Sequence, residues 1–314
     1  MSTQTVLYDT VGPRAKRRNM ILTVLFVAVI VGVIAWVIYL LDQAHELAPS
    51  KWRPFADTGV WGNILLPALW ATVKAAGLSL LLALPVGAVL GIGRLSEHSF
   101  IRWPCSVIVE FFRAIPVLLL MVFATVAYQA LDIGTPDTRP LYAVVTGLVL
   151  YNGSVLAEVL RAGVLSLPKG QTEASMAIGL RKTQMLWIIL LPQALTAMLP
   201  AVLSQLVVIV KDTALGGQLL IAYPELLRSG RVITANYGNT VATYIIIATI
   251  FIALNFVLTG FAHAAERWLR RRRTGGGDQG EHMMEMIESG VVPGGVAATT
   301  HLGETFGGPT SGGK

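Results

Sequence analysis

The chain alternates long apolar runs with short polar or charged segments. A helix that crosses a bilayer needs about 20 mainly apolar residues, and six runs are that long. They extend over residues 20–41, 61–93, 104–130, 141–160, 185–210 and 240–268. The pattern therefore predicts an all-α, polytopic membrane protein with about six transmembrane helices.

Basic residues at the ends of these runs predict how the helices are oriented. They cluster before the first run, after the second, after the fourth and after the sixth, at positions 14–18, 94–102, 161–182 and 267–273. Six crossings place all four clusters on the same side of the membrane. Because connections rich in Lys and Arg stay in the cytoplasm, we expect a multi-pass protein of the cell membrane with both termini cytoplasmic.

Composition excludes several other classes of protein. Of the 314 residues, 54% are hydrophobic and 13% are charged, which is too little polar surface for a water-soluble globule. The net charge of +6 does not indicate nucleic-acid binding, since the basic residues flank apolar runs and are not interleaved with aromatic residues. The single cysteine, Cys105, excludes an internal disulfide, and the five histidines lack metal-ligand spacing.

The runs divide the chain into four parts. Residues 1–19 are expected to form a basic cytoplasmic tail, and residues 20–41 an N-terminal transmembrane helix without an obvious cleavage site. Residues 61–269 contain the other five predicted spans. Residues 274–314 are rich in glycine and too poor in apolar residues to bury a core, so we expect a disordered cytoplasmic tail.

The polar segment at 170–192 is unusual in so apolar a chain. Thr172 can cap a short helix with Glu173 in its first turn, Gly179 suits a left-handed helix end, and Thr183 can cap the next helix. The segment has no His, Cys or paired acids, and its small residues allow another surface to approach the backbone closely. We interpret it as a docking element for a partner protein.

The spacing within this segment resembles the EAA loop of ABC importer permeases. The matching residues are Glu173, Ala174, Gly179, Ile189, Leu191 and Pro192, whereas Ser175 stands where that motif usually has a second alanine. Flanking sequences, namely EVLRAGV (158–164), Gly170–Gln171, LPQA (191–194) and KDTAL (211–215), resemble the amino-acid subgroup that serves histidine, glutamate, glutamine, arginine and opines. The resemblance covers roughly residues 61–269. The family core usually has five spans, so the first span here is an addition.

The resemblance implies a set of partners and a coupling role for the loop. It implies two ABC ATPase subunits, a second permease subunit that is a copy or a paralogue, and an extracytoplasmic solute-binding protein. The coupling loop at about 168–183, with the proline that follows it, would contact the ATPases through Gly170, Gln171, Glu173, Ala174, Ser175, Gly179 and Pro192. The sequence has no GxxxxGK[ST] phosphate loop, so we expect no enzyme activity and no cofactor, with ATP bound by the partners.

Polar residues inside the spans are candidates for the translocation path. Lys74 would suit an anionic substrate or would extend to the headgroups, and Asn152 and Ser154 lie on a step of small residues. Two i,i+3 pairs are expected to be structural: Glu110 with Arg113, and Glu158 with Arg161.

Glutamate is the leading substrate hypothesis, since Lys74 and the excess of basic over acidic residues suit an anionic substrate. Glutamine, arginine and histidine are the alternative substrates. A gradient-driven secondary transporter would instead need acids near the membrane midplane and inverted repeats. A non-transporting scaffold would not need the docking loop.

Overall fold

A computed structural model of the chain describes residues 12–218 and 220–274, and within these ranges all regular structure is helical, as predicted. The helices are α1 (Pro13–Gln43), α2 (Pro49–Trp52), α3 (Thr58–Val60), α4 (Leu66–Arg94), α5 (Ser99–Ala114), α6 (Val117–Ala130), α7 (Arg139–Leu165), α8 (Lys169–Ala177), α9 (Lys182–Met185), α10 (Leu191–Ala197), α11 (Leu199–Asp212), α12 (Leu226–Tyr237) and α13 (Thr240–Thr274). Short 3-10 or π-helical turns occupy Arg53–Ala56, Trp61–Leu65, Leu186–Leu190 and Thr213–Gly217. The predicted glycine-rich tail from residue 275 onward lies outside the described residues, as does most of the predicted amino-terminal tail.

Most of the predicted spans are present as long apolar helices. In the described part of the chain, five stretches are long and apolar enough to cross a membrane: Pro13–Gln43, Thr58–Arg94, Arg139–Leu165, Leu199–Gly217 and Thr240–Ala264. The first, second, fourth and sixth runs are thus found with extended ends. The protein is an all-α polytopic membrane protein.

The third run was predicted as one span, but the structure divides it into α5 and α6. These helices meet at an angle of 101°. The break falls at Ile115, which is extended (φ −88°, ψ 131°) because the following Pro116 disfavours helical geometry in the residue before it. With 14 residues, α6 is only about 21 Å long at 1.5 Å per residue, which is shorter than a full crossing.

The fifth run is also discontinuous. A π-helical turn at Leu186–Leu190 precedes α10, and α10 ends at Ala197, two residues before α11 begins. The chain is helical without interruption from Lys182 to Ala197, because the π turn at Leu186–Leu190 leads directly into α10, so Pro192 starts no new helix. The interruption lies at Met198, and Pro200 then occupies the second position of α11, where its missing N–H leaves no internal hydrogen bond unmade. The predicted single span over 185–210 is therefore two helical pieces.

The connection before the last span contains α12, which begins at Leu226 and continues to Tyr237. Lys211 and Asp212 form the last turn of α11. They belong to a stretch that is apolar enough to cross the membrane.

The centre of the bundle is formed by close packing of α4 against α7. A methyl group added at Gly87 would lie 2.7 Å from Leu156 Cβ, and one at Gly91 would lie 2.9 Å from the carbonyl oxygen of Ala157. Small residues allow membrane helices to approach this closely, so that dispersion contacts form along both backbones. Buried side chains of α6, α7 and α11, including Met121, complete the core.

The first and last helices differ from this core. None of the residues in α1 is buried, so its whole surface is available to lipid or to a partner. Residues up to Ala262 belong to one packed unit, and the described residues from His263 onward belong to a second.

Candidate functional site

The predicted docking segment contains a nine-residue helix, α8. It begins at Lys169, directly after Pro168, whose extended backbone (ψ 133°) precedes the first turn. The prediction that Thr172 caps this helix is wrong, because Thr172 lies inside it. Pro168 takes the N-cap position, so the helix starts four residues earlier than a cap at Thr172 would place it.

Gly179 ends this helix in the left-handed conformation that was predicted, with φ at +79°. Two hydrogen bonds close the end: Gly179 N–H donates to Met176 O (3.0 Å), and Leu180 N–H donates to Ser175 O (3.1 Å). These are the two bonds of a Schellman motif, which reverses the chain direction after a helix. The backbone therefore turns sharply between α8 and α9.

Most of α8 is exposed. Ser175 is its one buried residue, at 2% exposure, and its hydroxyl donates to Gln171 O (2.5 Å). Glu173 and Ala174 are exposed, and Met176 and Ile178 expose 49% and 74% of their surface. A short helix with one acid, several small residues and exposed apolar side chains suits the groove of another protein.

The helices that flank α8 carry buried apolar residues, whereas most of α8 itself is exposed. Buried residues from α7, α9, α10 and the π turn between them form one apolar cluster that includes Leu160, Met185 and Ala194. On the surface, Lys182 Nζ lies 2.7 Å from Glu97 Oε1, which ties α9 to the connection between α4 and α5. Thr183 does not cap α9, as had been predicted, since the helix starts at Lys182 and Gln184 Oε1 accepts from the N–H of Arg181 (3.0 Å).

The two predicted charge pairs are parts of a single network. Arg113 lies 3.8 Å from Glu110, and Arg161 lies 3.3 Å from Glu158. The largely buried Arg94 joins them, with nitrogen atoms 2.9 Å from Glu110 and 2.5 Å from Glu158. The network connects α4, α5 and α7 near the end at which α7 continues into the α8 loop.

The predicted path residues have different environments. Lys74 is exposed on α4. Asn152 is fully buried, where its Nδ2 donates to Leu148 O (2.9 Å) and its Oδ1 accepts from Gln205 Nε2 (2.5 Å). Ser154 donates to Leu150 O (2.8 Å). The bond from Gln205 to Asn152 joins α11 to α7, whereas the Ser154 hydroxyl donates within α7, and no hydrogen bond among the described residues links either residue to Lys74.

Sequence reasoning missed a cavity between α11, α12 and α13. Its volume is about 480 Å³, and its lining is mostly apolar except for Lys211, Tyr244 and Asn255. Asn255 donates to Phe251 O (2.7 Å), but its buried Oδ1 has no partner among the described residues. Asn255 lies 15 positions after the start of the sixth run, and this polar residue within an apolar stretch was the available signal.

A second residue missed from the sequence is the acid Glu225. It is fully buried and caps α12, because its carboxylate accepts from the N–H groups of Leu227 (2.5 Å) and Arg228 (2.7 Å). Burial raises the pKa of Glu225 from 4.5 to about 7, although both hydrogen bonds oppose that shift. The N–H of Leu226 donates to Thr72 Oγ1 (3.1 Å), which fixes α12 against α4.

The fold defines a class of protein: an all-α, polytopic membrane protein that carries an exposed loop helix, α8. The family model described as "Binding-protein-dependent transport system inner membrane component" matches residues 83–271. This range covers more than half of the 314 residues, so the chain belongs to that family of transport components. It is a permease subunit rather than an enzyme, and the family implies ATPase and binding-protein partners.

Two curated relatives narrow the comparison. The glutamate transport system permease protein GluD of Corynebacterium glutamicum is 49% identical over 234 residues, which cover 74% of this chain and 85% of that protein. The probable glutamine ABC transporter permease protein GlnP of Bacillus subtilis is 31% identical over 215 residues, covering 66% of this chain and 96% of that protein. The resemblance to amino-acid ABC permeases is confirmed.

Solved structures share the fold. A crystal structure of an amino acid ABC transporter with histidines has a TM-score of 0.59 at 23% identity, covering 65% of this chain and 92% of that chain. An inward-facing MetNI methionine ABC transporter has a TM-score of 0.55 at 23% identity, covering 66% and 96%. The family assignment leaves the gradient-driven transporter and the membrane scaffold without support.

Proposed function

We propose that this permease subunit imports glutamate into the cell. The observation that carries the proposal is the 49% identity to a glutamate transport permease over 85% of that protein's length. Glutamine, arginine and histidine are the alternatives within the same subunit type. The geometry of one cavity adds support that does not depend on the comparison.

The cavity between α11, α12 and α13 offers the groups that an amino acid requires. Lys211 supplies a positive charge for a carboxylate. Asn255 also lines the cavity, and its Oδ1 lacks a partner among the described residues; because this atom is buried, the side chain has to turn towards the cavity to accept a hydrogen bond from a ligand. An ammonium group is a donor that such an acceptor would bind. The volume of about 480 Å³ falls in the range of small-molecule sites. We therefore favour Lys211 over the predicted Lys74 as the cation that faces the substrate, while Asn152 and Ser154 shape the helices behind it.

We infer that α8 couples this cavity to ATP hydrolysis by partner subunits. Its exposed residues Glu173, Ala174, Met176 and Ile178 would enter a groove on each of two ABC ATPase subunits, which themselves bind the ATP. No cofactor is expected in this chain. A second permease subunit, either a copy or a paralogue, would complete the pathway, and an extracytoplasmic binding protein would deliver the substrate. This arrangement requires α8 and both termini to be cytoplasmic, in agreement with the basic flanks.

Uptake of labelled glutamate into intact cells tests the substrate. The gene is deleted and restored, and unlabelled glutamine, arginine, aspartate and histidine compete, with and without collapse of the proton gradient. We expect loss on deletion, rescue on restoration, persistence without the gradient, and competition mainly by aspartate and unlabelled glutamate. Glutamate uptake unaffected by deletion would refute the substrate, and loss that follows the gradient would refute ATP coupling.

A matched pair of variants tests the cavity. Lys211→Met removes the proposed cation, and Lys74→Met removes the exposed lysine of α4, so the two changes are chemically identical. We expect Lys211→Met to reduce glutamate uptake at least about tenfold, the effect of one lost charge-assisted contact. Lys74→Met should change it little. The opposite ranking would move the substrate site to α4.

A further inference from the structure

A second cavity lies on the bundle where α4, α5 and α7 meet. It has a volume of about 430 Å³ and is lined by four residues of α4, two of α5 and two of α7, among them Val89, Phe112 and Ser154. Every lining residue except Ser154 is apolar, and the Ser154 hydroxyl already donates to Leu150 O. The groove therefore offers no hydrogen-bonding group to a polar ligand, and it lies against helices long enough to cross the membrane. A hydrocarbon chain is the occupant that this lining suits.

The arginine network lies directly beside one end of this groove. On α4, Arg94 follows the lining residue Leu90 by one helical turn, and on α7, Glu158 follows Ser154 by one turn. On α5, Arg113 is the neighbour of Phe112. All three helices thus place their charged residues at the same end, the end at which α7 continues into the α8 loop.

The network of Arg94, Arg113, Arg161, Glu110 and Glu158 carries a net positive charge. Three arginines and two glutamates leave one net positive charge, and the side chains of Arg113 and Arg161 are 37% and 38% exposed. Arg113 lies 3.7 and 3.8 Å from its two carboxylate partners, which is beyond hydrogen-bond distance, and it donates no hydrogen bond among the described residues. A guanidinium group has five N–H donors in a geometry that fits a phosphate.

The helix that covers the groove carries features of a membrane-surface helix. α5 makes an angle of 101° with α6, so the two helices do not form one straight span. Phe100 and Trp103 expose 90% and 70% of their surface, and aromatic residues of this kind are enriched at the level of lipid headgroups. α5 thus carries both the exposed aromatic residues and Arg113, which lies at the charged end of the groove.

We propose that this groove binds one anionic phospholipid, with an acyl chain against Val89 and Phe112 and the headgroup phosphate against Arg113 and Arg161. Basic pockets between membrane helices are known to select anionic headgroups, and here charge complementarity and an apolar groove coincide. The groove is lined by α4, α5 and α7, whereas the Lys211 cavity lies between α11, α12 and α13. It does not depend on which amino acid is transported.

Native mass spectrometry of the full-length chain with added phosphatidylglycerol or phosphatidylcholine tests the site. We expect one saturable adduct per chain, with phosphatidylglycerol preferred. Arg113→Gln should weaken phosphatidylglycerol binding about fivefold, the effect of about 1 kcal/mol per basic residue, and leave phosphatidylcholine unchanged. Arg113→Lys keeps the charge and should preserve the preference. Arg17→Gln, at the start of α1, controls for general loss of positive charge.

A pair of valine variants tests the groove itself. Val89 is 69% exposed and lines the groove, so Val89→Phe should fill it without disturbing the core and should weaken binding of both lipids. Val126→Phe makes the same change at a 57% exposed position of α6 outside the groove and should have no effect. Equal effects of the two variants, or full phosphatidylglycerol preference in Arg113→Gln, would overturn the proposal. The proposal would also be overturned if Val89→Phe bound lipid normally but changed its self-association, as measured by light scattering. That result would show that a second copy of the chain occupies the groove.

Discussion

Replacing Gly179 with alanine should loosen the end of α8 without creating a clash. The backbone at this position has a φ of +79°, and an added methyl group would meet nothing within 4 Å. The whole effect of Gly179→Ala therefore comes from the left-handed conformation, in which the Cβ of an L-residue crowds the following carbonyl oxygen.

The expected magnitude follows from this geometry. A left-handed residue with a Cβ costs about 1–2 kcal/mol relative to glycine. No tertiary contact of the methyl group would offset that cost, since the surrounding space is empty. A change of this size raises the open fraction of the helix end by about 5- to 30-fold. The open fraction of the helix end in Gly179→Asn should lie between those of the wild type and Gly179→Ala, because asparagine tolerates the left-handed region better than alanine does.

Amide hydrogen exchange measures this opening directly. The N–H groups of Gly179 and Leu180 form the two hydrogen bonds that close the end of α8, so their exchange rates measure how often this end opens. Exchange at these positions should be about 5- to 30-fold faster in Gly179→Ala, by the same free energy. Gly170→Ala is the matched control in the same loop, since its methyl group also meets nothing and its helical position favours alanine by up to about 1 kcal/mol.

Two results would refute this reasoning. Unchanged exchange in Gly179→Ala would show that the left-handed end is not the conformation that holds α8 in place. Equal acceleration in Gly170→Ala would show that the whole loop opens as a unit. If α8 is the docking element, retention of the partner ATPase on co-purification should follow the same order of variants, from glycine through asparagine to alanine.

Three further predictions concern the rest of the bundle. Glu158→Gln removes a carboxylate shared by three arginines and should lower stability by about 2 kcal/mol, reduced from the fully buried case by its partial exposure; an unchanged melting temperature in detergent would contradict this. Burial raises the pKa of Glu225 from 4.5 to about 7, so between pH 4.5 and 7 the folded chain keeps a proton that the unfolded chain releases. The Tm of the wild type should therefore fall as pH rises from 4.5 to 7, and the Tm of Glu225→Gln should fall less. Equal slopes of Tm against pH in the two proteins would refute this prediction. Gly147→Ala places a methyl group 2.5 Å from Met121 Cγ and should destabilise the chain by about 1–3 kcal/mol in urea or heat. Gly77→Ala, with nothing within 4 Å, should not destabilise it and should stabilise it by up to about 1 kcal/mol, because alanine is favoured over glycine inside a helix.

The sequence predicted the number and type of apolar segments better than their shape. Length and hydropathy determine whether a segment is buried in hydrocarbon, and four of the six runs are helices at the expected places. Pro116 was visible within the third run, yet a proline kinks some membrane helices and ends others. Only the tertiary packing of α5 against α4 and α7, including the ion pairs of Glu110, determines which of these occurs here.

The coupling loop shows a similar division between local and tertiary information. Gly179 was placed in its left-handed conformation because glycine at a helix end has a specific local role. The caps at Thr172 and Thr183 were wrong, since a threonine is compatible with capping but also with the interior of a helix. The Lys211 cavity could not be found from spacing, because its residues come from three helices that are distant in sequence.

The chain order links the loop to this cavity through a short, interrupted path. From α8 the backbone passes through α9, a π turn and α10 to the break at Met198, and then through α11 to Lys211. The loop side of the break is fixed by the cluster of Leu160, Met185 and Ala194, whereas the far side is fixed by the hydrogen bond from Gln205 to Asn152. A displacement of α8 is therefore expected to move α10 first and to reach Lys211 only through reorientation at the break. Since α11 is about 21 Å long at 1.5 Å per residue, a small rotation there would move Lys211 by several ångströms relative to Asn255.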